Sequence, residues 1–135
     1  TYYVPVRNLN PFLDFIIEKN NNGELYTPKI TLYFIKSNRE GYLSPSSKED
    51  MFMVTYTDEY THTDRRTKED RQKVQLEVTK KVTAFTGRDA LTNSYHGSRE
   101  DMLKQYQNIP AFIKQKNARD SLSLFTTEWY TLFNQ

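Results

Sequence analysis

Two histidines, a scatter of carboxylates and no cysteine make up the side chains with obvious chemical capacity. His62 stands two residues before Asp64, so a ring nitrogen and a carboxylate could approach one divalent cation. A single His-x-Asp pair is a sparse ligand set, and a polar residue near a strand end accounts for His62 equally well. His96, between Tyr95 and Gly97, reads as a helix-end residue whose charged form complements the C-terminal dipole. The nearest approach to an enzyme is a metal-dependent nuclease. Such sites gather carboxylates and a lysine at strand ends, because the cation needs oxygen ligands and the phosphate needs a positive neighbour. Asp58, Glu59, Glu77 and Lys81 have the right types. Alternation, however, sends Asp58 and Glu59 to opposite faces, and Glu77-Val78-Thr79-Lys80 lacks an acid-x-Lys spacing. The four glycines stand alone at 23, 41, 87 and 97, which excludes a glycine-rich phosphate loop. Nor is there a Gly-x-Ser-x-Gly elbow. No catalytic residue, metal ligand or cofactor is therefore assigned, and disulfides are excluded.

Binding chemistry is better supplied. Tyr56, Tyr60, Arg65, Arg66, Lys68, Arg71 and Lys73 mix stacking rings with cations, as surfaces that hold single-stranded nucleic acid do. Asp64, Glu69 and Asp70 lie among them and would repel the same phosphates, so a solvated, salt-bridged arm is the competing expectation. Protein–protein assembly is the leading one. The exposed backbone edges of a long hairpin can add to a neighbour's sheet, and its polar tip suits insertion between subunits, through self-association or with another protein. The stripe Phe125, Trp129 and Phe133 is either core or a partner-binding face.

These residues need elements to position them. Residues 2–7 read as a short strand, with Pro5 favouring an edge. Asn10-Pro11 predicts a helix start, Phe12, Leu13, Phe15, Ile16 and Ile17 its apolar face, and Asn20-Asn21-Asn22-Gly23 its stop. Residues 29–36 are the clearest strand, apolar on both faces and so expected in the sheet's centre. A turn at 37–41, a brief Tyr42-Leu43 strand and a loop follow. Residues 51–62 and 74–82 both alternate, predicting a long central β-hairpin whose charged tip, 64–71, is either flexible or one short helical turn. A weak helix at about 88–96 comes next. Ser98-Arg99-Glu100-Asp101 resembles a capping box, Pro110 restarts the chain, and Asp120 caps a segment at 121–133 read as helix, with strand the alternative. The sum is one α+β domain over 1–135: a mostly antiparallel sheet, an N-terminal helix, and C-terminal helices on one face.

The stretch from Phe34 to Leu43 contains Arg39-Glu40-Gly41-Tyr42, which resembles an Arg-Glu-Gly-Tyr patch in VirB8-like conjugation proteins. It covers ten of 135 residues, and there the patch lies on a helix, whereas here it follows a strand. No residue role is carried over from it.

Composition sets the outer bounds. Nineteen basic against 17 acidic side chains leave a net charge of +2, mild for a dedicated duplex-DNA binder. Ten Tyr, eight Phe and one Trp are enough for a core plus an aromatic surface. No apolar run approaches the roughly 20 residues of a membrane span, and the first residues lack a signal peptide's regions. The absence of cysteine fits a reducing, cytoplasmic setting. Thr1 is what remains after trimming an initiator Met, or marks a boundary. Ten asparagines alongside many Lys, Tyr and Ile residues suggest an AT-rich genome, such as that of a phage, virus or plasmid.

Overall fold

Alternation of apolar residues builds the sheet, and a four-residue apolar repeat covers it. A computed structural model describes the chain except residues 28, 47, 60–63, 93–94, 123, 132 and 134–135. Strand β1 (Tyr2–Pro5) runs into a 3-10 turn (Val6–Asn8) and helix α1 (Leu9–Asn21). Strands β2 (Ile30–Ile35) and β3 (Met51–Tyr56) follow, then the long helix α2 (Lys68–Ala84) and the two-residue strand β4 (Arg88–Asp89). Helices α3 (Arg99–Gln105), α4 (Ile109–Arg119) and the single turn α5 (Glu128–Thr131) complete the chain. The strands form one antiparallel sheet in the order β2-β3-β1-β4. The α+β class and antiparallel sheet are as expected, and among the described residues no helix is long and apolar enough to cross a membrane.

Register decides which side chains share a face. Tyr2 pairs with Val54 and Val4 with Phe52, while Leu32 and Phe34 pair with the same two β3 residues. These side chains point towards α1 and α2. Tyr2, Val4 and Val54 are buried there with Phe12 and Ile16 of α1, Leu25, and Val74, Val78 and Val82 of α2. A second apolar cluster gathers Met102, Tyr106 and Ile109, with Leu91, Ile113 and Trp129 packed against it.

Several expectations are corrected. The answering hairpin strand does not form, because 74–82 is helix: Val74, Val78 and Val82 recur every fourth residue, and the capping box Thr67–Asp70 starts α2 where a hairpin tip was expected. Glu69 and Asp70 also suit the positive N-terminal end of its dipole. Strand β2 lies at the edge, not the centre; its second apolar face marks exposure instead of double burial. Strand β1 is internal, and Pro5 is tolerated because β4 reaches only Tyr2 and Tyr3. The C-terminal helices gather in the second cluster, separate from the one that α1 and α2 form with the sheet, and 88–96 contains β4 instead of a helix. Tyr42 and Leu43 sit in a loop, as does Arg39-Glu40-Gly41-Tyr42.

Helix α1 buries Phe12 and Ile16 as its spacing predicts, although Asn8, not Asn10, precedes it. Gly23 takes φ +72°, the left-handed geometry that ends the helix. Ser98 and Asp101 form the expected capping box, and Pro110 sits in the first turn of α4.

Candidate functional site

The residues singled out between 56 and 73 are dispersed by the replacement of the hairpin with α2. Tyr56 points inward, its ring 5.9 Å from that of Tyr2 and its hydroxyl 3.4 Å from Gln75 Oε1. Burial is the main reason its pKa is pushed up to about 12. Arg66 is a structural tie. Its guanidinium donates to Asp58 at 2.8 Å and to Asp64 at 2.6 Å, and also to the Glu24 and Glu59 carbonyls. The hydrogen bonds from Arg66 hold the Asp64 carboxyl down at about 2. Arg65, Lys68 and Lys73 are exposed, and Arg71 is half-buried on α2. Tyr60 and His62 lie outside the described residues.

The nuclease set also comes apart. Asp58 is held by Arg66 and by the Tyr26 N–H at 2.8 Å, whereas Glu77 accepts from Lys19 at 2.6 Å. Lys81 lies over the rings of Phe15 and Phe85. Among the described residues, no group of three or more His, Cys, Asp or Glu side chains could hold a metal ion. His96 is exposed in the loop before α3.

Three surface features remain. The first is β2 itself, with its outer backbone edge unpaired among the described residues. Leu32, Tyr33 and Phe34 are 40%, 56% and 58% exposed along it. Ile30, at the start of the strand, packs on the first apolar cluster, and Phe34 near its end meets Phe52 edge-on at 5.6 Å. The strand carries no charge between exposed Lys29 and Lys36.

The second is a pair of adjoining cavities of about 240 and 260 Å³ between the 39–50 loop, the end of α2 and the α3–α4 corner. Both are lined by Lys48, Arg88 and Gln107. Lys104 lines the first, and Arg39 with Tyr42 the second. The Arg88 guanidinium lies over the Tyr106 ring, 5.2 Å from its centroid, and donates to the Ser44 carbonyl. Burial lowers the Arg88 pKa, and its interaction with Tyr106 offsets part of that shift. Lys48 donates to Gln107 Oε1 at 3.1 Å.

The third is an apolar cavity of about 490 Å³ lined by Phe112, Leu124, Phe125, Trp129 and Tyr130. Phe125 is 77% exposed at its rim, Trp129 packs on the second cluster, and Phe133 joins them. The stripe is thus divided between core and surface.

Compared with protein-family models, curated proteins and solved structures, the chain matches none. Function must therefore be argued from these surfaces. Of the three, only the aromatic stripe of the last was singled out from the sequence. Edge status is set by strand order, and Arg39, Lys48, Arg88 and Lys104 are too far apart in the chain for local spacing to link them. For the edge, the one available signal was the run of apolar residues on both faces of 30–35.

Proposed function

We propose that this domain is a non-enzymatic binding module that pairs the free edge of β2 with an extended segment of a partner protein. The observation that carries this reading is the edge strand Ile30–Ile35, uncharged throughout and exposed at Leu32, Tyr33 and Phe34. Edge strands of soluble proteins are usually blunted by an internal charge, a proline or a bulge, and a flat apolar edge invites strand addition. Main-chain hydrogen bonds would supply affinity, and alternate partner side chains would meet Leu32 and Phe34 on one face and Tyr33 on the other.

Charge selects the kind of partner. In a centred antiparallel pairing of two copies, each Lys29 would approach the other copy's Lys36, and like charges across a ladder are destabilising. An apolar strand flanked by acidic residues complements Lys29 and Lys36 instead. The test is titration of the isotope-labelled domain with a peptide of alternating apolar residues between acidic flanks, read at the β2 amides. Protection of residues 30–35 is expected, with loss in Tyr33→Lys and Phe34→Lys variants, which alter exposed positions only. Equal binding of a lysine-flanked peptide, or unperturbed β2 amides at saturation, would overturn the reading. Light scattering should give a monomer.

A further inference from the structure

We propose that the two adjoining cavities form a binding site for a nucleoside phosphate unit, either free or within a single-stranded nucleic acid. Four cations converge on the groove: Arg39, Lys48, Arg88 and Lys104. Glu49 is the one carboxylate among the residues lining it, and Arg7 engages that carboxylate from outside. Lys104 also reaches Glu100 at 2.9 Å, an exposed helical pair with 57% and 78% exposure. Pairs of that kind contribute little, so the ammonium can turn to an anion at small cost.

Arg88 is pre-set for the task. Its guanidinium sits 5.2 Å from the Tyr106 ring centroid and donates to the Ser44 carbonyl, so the side chain is already held in place and loses less freedom on meeting a phosphate than a mobile chain would.

Volume and aromatic content narrow the ligand. Each cavity is smaller than the roughly 300–1,000 Å³ typical of small-molecule pockets, which suits a phosphate and its sugar. Tyr42, 49% exposed, stands at the rim beside Arg39, where a base leaving the groove would stack on it. The 56–73 surface offers no such combination, since Tyr56 is turned inward and Arg66 is held by Asp58 and Asp64.

The experiment uses the full chain with inorganic phosphate, a nucleoside 5′-monophosphate, the unphosphorylated nucleoside, and a labelled oligothymidine over a salt series. Phosphate-bearing probes should bind at low salt and the nucleoside should not. Lys48→Gln with Lys104→Gln should lower the log–log salt slope for the oligonucleotide by about 1.4, at roughly 0.7 per lost phosphate contact. Tyr42→Ala should weaken nucleotide and oligonucleotide roughly tenfold and leave inorganic phosphate unchanged. Lys68→Gln with Lys73→Gln, on the exposed side of α2, is the control for general attraction. A monophosphate that matches the oligonucleotide points to a free ligand, and a much tighter oligonucleotide points to a single strand; both support the site. No binding of any phosphate probe at low salt, or an equal effect of the α2 variant, would overturn it.

Discussion

Asp89 is a buried carboxylate that accepts from Thr79 Oγ1 at 3.2 Å and from Gln105 Nε2 at 2.7 Å. Burial raises its pKa, and the bonds from Gln105 and Thr79, with the more distant charges of the N-terminus and His96, offset only part of that. A folded-state value above the unfolded one means that the native state binds more protons. This group's contribution is therefore fully present below the ordinary value of roughly 3.9 and is lost as pH rises through the folded value. Asp89→Asn keeps the shape and removes the titration. Denaturant unfolding of both proteins should give a stability difference that moves in the variant's favour as pH rises from about 4, then levels off. A difference that is flat in pH would show that Asp89 titrates no differently in the two states. Asp64 works with the opposite sign: Arg66 holds it ionised, so its contribution is lost as acid protonates it near 2.

Helix α2 shows both how much of the fold the sequence reveals and where it misleads. Val74, Val78 and Val82 satisfy a period of two and a period of four alike, and valine's preference for strands tilts the reading to a hairpin. Thr79 separates the two. Alternation puts it opposite Val78, yet both are buried, as a helix requires. The capping residues Thr67 and Asp70 were in plain view, but the charges around them read as a turn. The apolar face of helix α1, the Ser98 cap and strands β1 to β3 were legible because local periodicity or a local cap marks each of them. The order β2-β3-β1-β4 and the convergence on the groove depend on long-range pairing, which no local pattern encodes. The end of α2 supplies a test. Thr86 takes φ +58°, with its N–H on the Thr83 carbonyl and the Gly87 N–H on the Val82 carbonyl, so a β-branched residue holds the place glycine usually fills. Thr86→Gly should stabilise by roughly 1 kcal/mol, after loss of the exposed bond from Arg7. Gly87→Ala should cost about 1–3 kcal/mol, because a Cβ there would meet the Tyr3 carbonyl at 2.6 Å and Val82 Cγ1 at 2.9 Å. Thermal and chemical unfolding measure both, and a destabilised Thr86→Gly would mean that the left-handed threonine carries no strain.

At the scale of the molecule, two apolar clusters meet across a polar joint. Gln105 makes that joint: its Oε1 accepts the Asp89 N–H at 2.7 Å, and its Nε2 donates to Asp89 Oδ2 and, at 2.8 Å, to Thr83 Oγ1. Tyr106, of the second cluster, donates its hydroxyl to the Asp89 carbonyl at 2.7 Å. The sheet cluster and the α3–α5 cluster thus meet through β4, a strand of two residues too short to couple them by its ladder alone. Gln105→Met fills the same space and leaves the Asp89 N–H and carboxylate without that partner. Orphaning buried polar groups costs about 1–3 kcal/mol each, more for a charged one, so a loss of roughly 2–4 kcal/mol is expected. Its distribution is the sharper measurement. Hydrogen exchange should quicken across α3 and α4 by more than across α1 and the centre of the sheet, because the second cluster loses its anchor and the first keeps its own core. Uniform acceleration would mean that the clusters unfold as one unit. The groove lined by Lys48, Arg88 and Lys104 straddles the same joint, so loosening it should weaken phosphate binding and leave partner-strand pairing at β2, at the far end of the sheet, unchanged.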